Sequence, residues 1–290
     1  MGPCVRRDDA GIFVMSSTTN ALQNLAGTIA LAGAGKMGGA MLTGWLAGGL
    51  DARRAVVIEP QPSPEIAALA AKGVRLNPSA KDTGAVETLV VAVKPQSFRE
   101  AGVALKPFVG SATLVVSIMA GTTIASITDI CGGAVVRAMP NTPAAIGRGI
   151  TVAVAAKNVS AAQRAVADAL LQAIGKVEWV DDETLMDAVT AVSGSGPAYV
   201  FLLAEELARA GVEAGLPAEL ATRLARETVA GSGELLRRSE ASSATLRQNV
   251  TSPGGTTAAA LEVLMGADGM QQLMIRAIAA ATKRSLELAK

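Results

Sequence analysis

The sequence of 290 residues contains no histidine. Histidine is the side chain that most often acts as a general acid or base near neutral pH, and it is also the commonest metal ligand. Its absence excludes Ser-His-Asp hydrolases, dehydrogenases with a histidine acid or base, and metal centres built on imidazole. Catalysis by this chain must therefore use other side chains, the backbone or a bound cofactor, and we expect no metal site.

Aromatic and charged residues are also scarce. Phe, Trp and Tyr make up 2% of the chain and charged residues 18%, against about 25% charged residues in a typical globular domain. Apolar residues make up 50%, so the core must be built from aliphatic side chains. The net charge of +1 comes without a basic stripe, which predicts no binding to nucleic acid or to a membrane surface.

The N-terminal segment and the two cysteines bear on the cell compartment. Cys4 and Cys131 form neither a metal-ligand spacing nor a disulfide framework, which favours a reducing, cytoplasmic compartment. The apolar run at 11–15 is too short for a signal peptide, and Asp8 and Asp9 are unlike a transit peptide. We interpret residues 1–26 as a disordered tail, with a targeting role as the alternative.

Short apolar runs alternate with helical patterns in the first part of the chain. The apolar runs lie at 28–32, 55–58, 89–93, 114–117, 135–139 and 151–155, and the helical patterns at 36–47, 63–71, 97–107 and 122–131. Continuous apolar strands between helices are typical of a parallel sheet that is covered on both faces. Residues 27–180 are therefore predicted to form a doubly wound α/β domain.

The pattern is helical throughout after residue 180. Asp181 or Asp182 can cap a helix that runs towards Ser193, Pro197 starts a helix that stops near Gly215, and Pro217 starts another. Further helices are predicted near 244–250, 257–264 and 270–289. Residues 181–290 are thus predicted to form an all-helical domain whose long apolar faces pack against a second copy of the chain.

Gly33-Ala-Gly35-Lys-Met-Gly38 follows the first predicted strand and opens a helix. In a dinucleotide site the first glycine makes the tight turn, the second admits the pyrophosphate, and the third lets helix and strand pack closely. The N–H groups at the helix start then face the phosphates. The motif predicts a Rossmann-type fold that binds NAD(P)H, with a packing turn as the alternative. Met37 excludes a P-loop, which needs Ser or Thr there.

Other candidate cofactor residues follow neighbouring strands, at the edge where open α/β sheets bind ligands. Glu59 ends the second strand, 21 residues after Gly38. A carboxylate there binds a ribose 2′-hydroxyl and repels a 2′-phosphate, which favours NAD over NADP, although an acid on a solvated loop is an equal alternative. Lys94 follows the strand at 89–93, with a solvated lysine as the alternative. The loop from Arg137 to Pro143 follows the strand at 135–139, and its prolines could alternatively serve only to stiffen it.

Two loops of the helical half combine hydroxyls with glycines. They are Ser193-Gly-Ser195-Gly-Pro197 and Ser252-Pro-Gly254-Gly255-Thr256-Thr257, and each precedes a predicted helix. Two helix N-termini of this kind can bind a carboxylate without Lys or Arg. Simple capping is the alternative, but a cap does not need the flexible glycine pair.

Together these strings resemble the pyrroline-5-carboxylate reductases. The resemblance covers residues 27–288 and rests on GAGKMG, VKPQ, MAGTT, MPNTP, SGSGPAY and SPGGTT, in that order. It implies reduction of 1-pyrroline-5-carboxylate to L-proline by NADPH or NADH, the last step of proline biosynthesis. It also implies a helical domain that intertwines into homodimers, in some members as larger rings such as decamers.

The resemblance also assigns site residues. The cofactor would contact the turn and three neighbouring strand ends, namely Gly33, Gly35, Met37, Gly38, Ala92, Val93, Lys94, Ala120 and Asn141. The dinucleotide-binding pattern itself adds Lys36 and Glu59 to this set. The substrate would contact Ser195 and the second loop, namely Val250, Ser252, Gly254, Gly255 and Thr256. Thr257 matches the threonine that hydrogen-bonds the imine nitrogen. Family members often carry Ser or Arg where this chain has Glu59-Pro-Gln, so the choice between NADPH and NADH stays open.

Two alternatives remain at this stage. A β-hydroxyacid dehydrogenase has a similar first domain but uses a lysine on the first long helix of the second, and no lysine occurs between Val177 and Thr282. A non-catalytic dinucleotide-binding protein would also share the first domain, but it would give the Ser, Gly and Thr loops no role.

Overall fold

The computed structural model of the chain describes residues 18–288 and is organised around one eight-stranded sheet. The strand order is β3-β2-β1-β4-β5-β6-β7-β8. The strands are β1 Ile29–Ala32, β2 Ala55–Ile58, β3 Arg75–Leu76, β4 Thr88–Val91, β5 Leu114–Ser117, β6 Ala134–Met139, β7 Gly149–Ala155 and β8 Gly175–Trp179. The first six are mutually parallel, and their order confirms the predicted Rossmann-type fold.

The last two strands depart from the predicted all-parallel sheet. β7 runs antiparallel to β6 because only the nine residues 140–148 join them, and a parallel crossover needs about a dozen or more. β8 was not predicted, because its side chains alternate between half-buried and exposed and form no continuous apolar run. β3 has two residues and was missed as well.

Helices cover both faces of the sheet. They are α2 Lys36–Ala47, α3 Pro64–Ala68, α4 Ala80–Thr83, α5 Phe98–Leu105, α6 Ile124–Cys131 and α7 Ala161–Gln172. The two cores are mainly aliphatic, as the composition predicts. Leu170 lies with Trp45 in one, and Ile127 lies with Phe98 in the other. The Trp45 indole Nε1 donates to the Leu170 carbonyl at 2.8 Å. The sequence analysis missed α7, although Ser160 and Gln163 form a capping box there.

The interpretation of residues 1–26 as a disordered tail is wrong for its second part. Residues Thr18–Gln23 form helix α1, and Leu22 is 1% exposed. Leu22 lies so close to Gly48 at the end of α2 that a Cβ on that glycine would be 2.5 Å from its Cδ1. The apolar pair Leu22 and Leu25 thus anchors this segment to the core. Residues 1–17 lie outside the described residues.

The helical half has no strand within residues 181–288, which confirms the prediction for that range. After a 3₁₀ turn at Glu183–Leu185 come α8 Met186–Val189, a π-helical turn Thr190–Gly194, α9 Gly196–Glu213, α10 Ala218–Arg238, α11 Ser243–Asn249, α12 Thr256–Leu264 and α13 Met270–Leu288. α9 packs on α10, and α13 packs on α8 and the π turn. The Ser285 hydroxyl donates to Asp187 Oδ1 at 2.6 Å in this buried contact.

One face of α9 is apolar and uncovered within the chain. Val200, Phe201 and Leu207 are 47%, 67% and 44% exposed, and no residue of α9 is buried. Apolar patches of this kind on a folded chain mark an interaction surface. None of the helices within residues 18–288 is long and apolar enough to cross a membrane.

Candidate active site and cofactor cleft

The glycine turn lies where the strand order reverses, between β2 and β4 on either side of β1. Gly33 has a φ of +87°, and a Cβ there would be 2.6 Å from the Ala92 carbonyl oxygen, so only glycine fits. A Cβ on Gly38 would overlap the Gly33 carbonyl oxygen. Both glycines therefore allow close packing of the turn against its neighbours, as the motif predicts.

The start of α2 offers donors for an anion. Its N-cap residue is Gly35, which supplies no side-chain cap, so the N–H groups of the first helical turn have no partner in the α-helical pattern. A Cβ on Gly35 would have no atom within 4 Å, so the space in front of this turn is open. Open space beside unpaired N–H groups at a helix N-terminus fits a dinucleotide pyrophosphate.

A cleft of about 410 Å³ opens beside this turn. Six of the predicted cofactor residues line it, namely Gly33, Gly35, Glu59, Ala92, Val93 and Lys94. Its remaining walls are Ala32, Ile58, Pro60, Ser97, Ala101, Ala104 and Leu105. The sequence analysis did not single these out, because small or apolar residues in a strand or helix carry no chemical signal of their own.

The other predicted cofactor residues do not line this cleft. The Lys36 side chain faces a second groove, between α2 and the 3₁₀ turn after β6, and Met37 packs against the core. Ala120 follows β5 at the same sheet edge. Lys36, Met37 and Gly38 can therefore serve the cofactor through their backbone at the start of α2.

Glu59 is held in place rather than loose on a solvated loop. Its Oε2 accepts the N–H of Ala34, inside the glycine turn, at 2.9 Å, and its Oε1 accepts the N–H of Gln61 at 3.1 Å. The Asn77 side chain makes two hydrogen bonds to the backbone of Glu59. Its Nδ2 donates to the Glu59 carbonyl at 2.9 Å, and its Oδ1 accepts the Glu59 N–H at 2.8 Å. Asn77 has a φ of +47°, and asparagine tolerates this left-handed conformation. The sequence analysis missed Asn77.

Three residues at alternate positions, at the end of β6 and just after it, contact the helical half. Side chains two residues apart in a strand point to the same face, and Arg137, Met139 and Asn141 each contact that half. Arg137 Nη1 pairs with Glu183 at 2.9 Å, and a Cβ on Gly194 would lie 2.5 Å from Met139 Cε. The predicted MPNTP and SGSGPAY strings are thus in direct contact.

Asn141 uses both ends of its amide in this contact. Its Nδ2 donates to the Ser193 carbonyl at 3.2 Å, and its Oδ1 accepts the N–H of Ile150 at 3.0 Å. Asn141 does not line the cleft beside the glycine turn. Its role in this structure is to join β7 and the π turn, next to the site rather than inside the cleft.

The expectation that residues 193–197 form a loop with a free helix start is wrong. The π turn Thr190–Gly194 runs into α9, and the Ser195 N–H already donates to the Thr190 carbonyl at 2.9 Å. The Ser193 hydroxyl donates to the Val189 carbonyl at 3.0 Å. Ser195 is half-buried, so its hydroxyl is the group of this segment that can hydrogen-bond a ligand. π turns are frequent at functional sites.

The second loop does end in a free helix N-terminus. Gly255 is the N-cap of α12 and provides no side-chain cap, and Gly254 has a φ of +67°. The first N–H groups of α12 are therefore available to an anion. Val250 is 64% exposed and Thr257 is half-buried.

Within one chain, this loop and the cofactor cleft do not form a single pocket. None of residues 250–257 lines the cleft. The hydrogen bonds of this loop are local, for example from the Thr251 hydroxyl to the Arg247 carbonyl at 2.7 Å. Among the described residues, the predicted substrate loop therefore does not contribute to the cofactor cleft of its own chain.

Titratable groups near the cleft are few. Glu59 and Lys94 are the charged side chains that line it. Burial raises the pKa of the Cys131 thiol, in the core at the end of α6, to about 11, so this thiol is not a nucleophile at neutral pH. Among residues 18–288 no group of three His, Cys, Asp or Glu residues could hold a metal ion.

Two family models match the chain. Residues 28–121 match the family described as NADP oxidoreductase coenzyme F420-dependent, and residues 183–288 match pyrroline-5-carboxylate reductase dimerisation. The two matches fall on the sheet half and on the helical half.

Whole-chain relatives agree with these matches. The chain is 41% identical to a pyrroline-5-carboxylate reductase of Pseudomonas aeruginosa over 266 residues, 90% of this chain and 97% of that protein. It is 46% identical to one from Synechocystis sp. over 221 residues, 75% of this chain and 81% of the relative. The structure of a pyrroline-5-carboxylate reductase from Coxiella burnetii superposes with a TM-score of 0.84 at 34% identity, covering 92% of this chain and all of that one.

Proposed function

The chain belongs to the pyrroline-5-carboxylate reductase family, and we propose a division of labour between its two halves in that reaction. It is an NAD(P)H-dependent oxidoreductase that transfers a hydride to the C=N bond of 1-pyrroline-5-carboxylate and gives L-proline. The main support for this division is that the helices α2 and α12 each have an N-terminus with unpaired N–H donors. One suits a pyrophosphate, and the other suits a carboxylate.

The sheet half, residues 27–180 in our division, holds the cofactor. Gly33, Gly35 and the first turn of α2 bind the pyrophosphate through backbone N–H groups. Ala92, Val93 and Lys94, after β4, line the ribose and nicotinamide side of the cleft. The bound cofactor supplies a hydride. The protein must hold the imine carbon about 3–3.5 Å from that hydride, which is the geometry of a reactive approach.

The helical half, residues 181–290, holds the substrate. The free N–H groups of α12 and the hydroxyls of Ser252 and Thr256 bind its carboxylate, and Val250 and the two glycines pack against its ring. No Lys or Arg occurs in residues 250–257, so the helix N-terminus must supply the positive potential.

Thr257 orients the imine nitrogen through its hydroxyl. Reduction requires positive charge on that nitrogen, because the charge makes the neighbouring carbon electrophilic. A threonine hydroxyl is too weakly acidic to deliver the proton by itself. The substrate therefore binds already protonated, or it takes its proton through a water molecule.

The active site is completed between two copies of the chain. The apolar face of α9 is exposed and the 250–257 loop has only local hydrogen bonds, so both have room for a partner. The chain forms a homo-oligomer through the helical half, and a dimer, alone or within a decamer, brings the partner subunit's Thr257 to the cofactor cleft. The absence of a disulfide framework fits a cytoplasmic enzyme.

The experiment that tests this function is the initial rate of absorbance loss at the reduced-nicotinamide band. We expect rapid loss that requires 1-pyrroline-5-carboxylate, with NADPH or NADH as the donor, and none without the imine. A folded protein that binds dinucleotide but shows no loss would support the non-catalytic alternative instead. The β-hydroxyacid dehydrogenase alternative predicts a lysine on α9, and that helix contains none.

A further inference from the structure

The carboxylate of Glu59 is fixed at the place where a dinucleotide-binding sheet recognises the adenosine ribose. It stands at the end of β2, next to the glycine turn, which is where an acidic residue meets the ribose 2′-hydroxyl in this fold. Its bond to the Ala34 N–H ties it to the turn itself. The position of the Glu59 carboxylate relative to the glycine turn is therefore fixed in the protein without a bound cofactor.

This carboxylate retains acceptor capacity for a ligand. A carboxylate has about four acceptor sites, and the N–H groups of Ala34 and Gln61 occupy one site on each oxygen. Both donors are neutral backbone N–H groups, so neither bond neutralises the negative charge of Glu59. The half-buried side chain lines the open cleft.

The segment after Glu59 offers no positive charge to a phosphate. Residues 60–65 are Pro-Gln-Pro-Ser-Pro-Glu, without Lys or Arg, whereas an NADP site supplies an arginine in this region. Glu65 adds a second carboxylate six residues on, and its hydrogen bond with Ser63 lowers the pKa of that carboxyl. Lys94 follows β4, on the other side of β1 from Glu59.

We propose that Glu59 makes this enzyme prefer NADH to NADPH, by accepting a hydrogen bond from the ribose 2′-hydroxyl and repelling a 2′-phosphate. The inference rests on the cofactor site proposed at the glycine turn, and it goes beyond that site by naming which dinucleotide is selected. A hydrogen bond to a charged group is worth about 10–100-fold in affinity, and like charges a few ångströms apart oppose binding further.

The test is equilibrium binding without substrate, so that it does not depend on turnover. Calorimetry on the wild-type protein is expected to give a Kd for NADH at least about 10-fold below that for NADPH. ADP-ribose and its 2′-phosphorylated form should show the same order, which would assign the difference to the 2′ position. Equal or tighter binding of NADPH by the wild-type protein would overturn the inference but leave the cofactor site standing, whereas binding of neither would overturn both.

Two variants then distinguish an effect of the Glu59 side chain on cofactor choice from an effect of the protein's net charge. Glu59→Gln keeps an acceptor for the Ala34 N–H and should shift the ratio of the two Kd values towards NADPH by about 10-fold or more. Glu178→Gln removes an exposed carboxylate on β8, at the opposite edge of the sheet, and should leave the ratio within about twofold because it lies beyond the screening distance. Equal shifts in both variants would refute a specific role for Glu59.

Discussion

Arg137 and Glu183 form an ion pair between the sheet and the helical half, with 2.9 Å between Arg137 Nη1 and Glu183 Oε1. The Arg137 side chain is 4% exposed within β6. The same Glu183 oxygen accepts the N–H of Ile124, at the start of α6, at 2.8 Å. One carboxylate thus fixes the beginning of the helical half to two elements of the sheet half, beside the cofactor edge.

We expect Glu183→Gln to destabilise the protein by about 2–4 kcal/mol, because it leaves the buried Arg137 guanidinium without a counter-charge. Urea unfolding at one fixed protein concentration measures this, since subunit association contributes to the apparent stability. Arg53→Gln is the control. Its pair with Asp51 lies in the sheet half, away from α9, and the Arg53 side chain is 82% exposed, so the loss there should be far smaller. Equal losses in the two variants would show that burial of Arg137 does not matter.

The sheet half was largely predictable because its signals are local. A buried parallel strand reads as an unbroken apolar run, and the predicted bounds of β2 and β5 coincide with those observed. The glycines at 33 and 38 were predictable because only glycine fits each contact. The free helix start at α12 was predictable from Gly254 and Gly255, which have no side chain to cap the helix.

The features that were missed depend on tertiary contacts. α1 has six residues, too few for a helical pattern to stand out, and its contact with the core is made by Leu22 at Gly48. The π turn brings Gly194 against Met139, a contact that sequence spacing does not reveal. The side-chain amide of Asn141 can bind a ligand and a backbone group equally well. Only the fold shows that its Nδ2 is bonded to the Ser193 carbonyl and its Oδ1 to the Ile150 N–H.

Gly35 lets the backbone approach the pyrophosphate, and we expect Gly35→Ala to weaken cofactor binding without unfolding the protein. Its added Cβ would meet nothing within 4 Å in the free protein, so the melting temperature should stay nearly unchanged. The methyl group would instead occupy ligand space, and the Kd of either cofactor should rise at least about 10-fold. Gly33→Ala is the contrast, because strain at its φ of +87° should lower the melting temperature. Unchanged cofactor affinity in Gly35→Ala would place the phosphates elsewhere.

Phe201 is the most exposed of the large apolar residues of α9, and we expect Phe201→Glu to weaken the dimer. Burying a charge in an apolar interface is costly, so the dimer Kd should rise at least about 30-fold, as for an interface hot spot. Light scattering after gel filtration measures this. Val103→Glu on α5 is the control, since Val103 is 66% exposed and Phe201 67%.

The monomeric form of this variant also tests the shared active site. It should still bind dinucleotide, because the cleft lies within one chain, but it should lose imine-dependent oxidation of the cofactor. A monomer with full turnover would show that the 250–257 loop acts within its own chain.

Thr257 is expected to act on the substrate and not on the cofactor. Thr257→Ala should lower kcat by about 10²–10⁴-fold, the usual range for a group that positions a proton transfer, and should leave the Kd of the cofactor unchanged. Thr257→Ser keeps the hydroxyl and should recover most of the lost rate. Steady-state kinetics with 1-pyrroline-5-carboxylate, together with cofactor titration, separates these effects.

A matched threonine controls for the loss of a hydroxyl and a methyl group. Thr128 is exposed on α6, and its hydroxyl donates to the Ile124 carbonyl at 2.8 Å. Thr128→Ala should therefore leave kcat within about twofold of the wild-type value, as for a surface substitution away from any site. Near-wild-type turnover in Thr257→Ala would remove this hydroxyl from the mechanism, and the N–H groups of α12 would then have to orient the substrate alone.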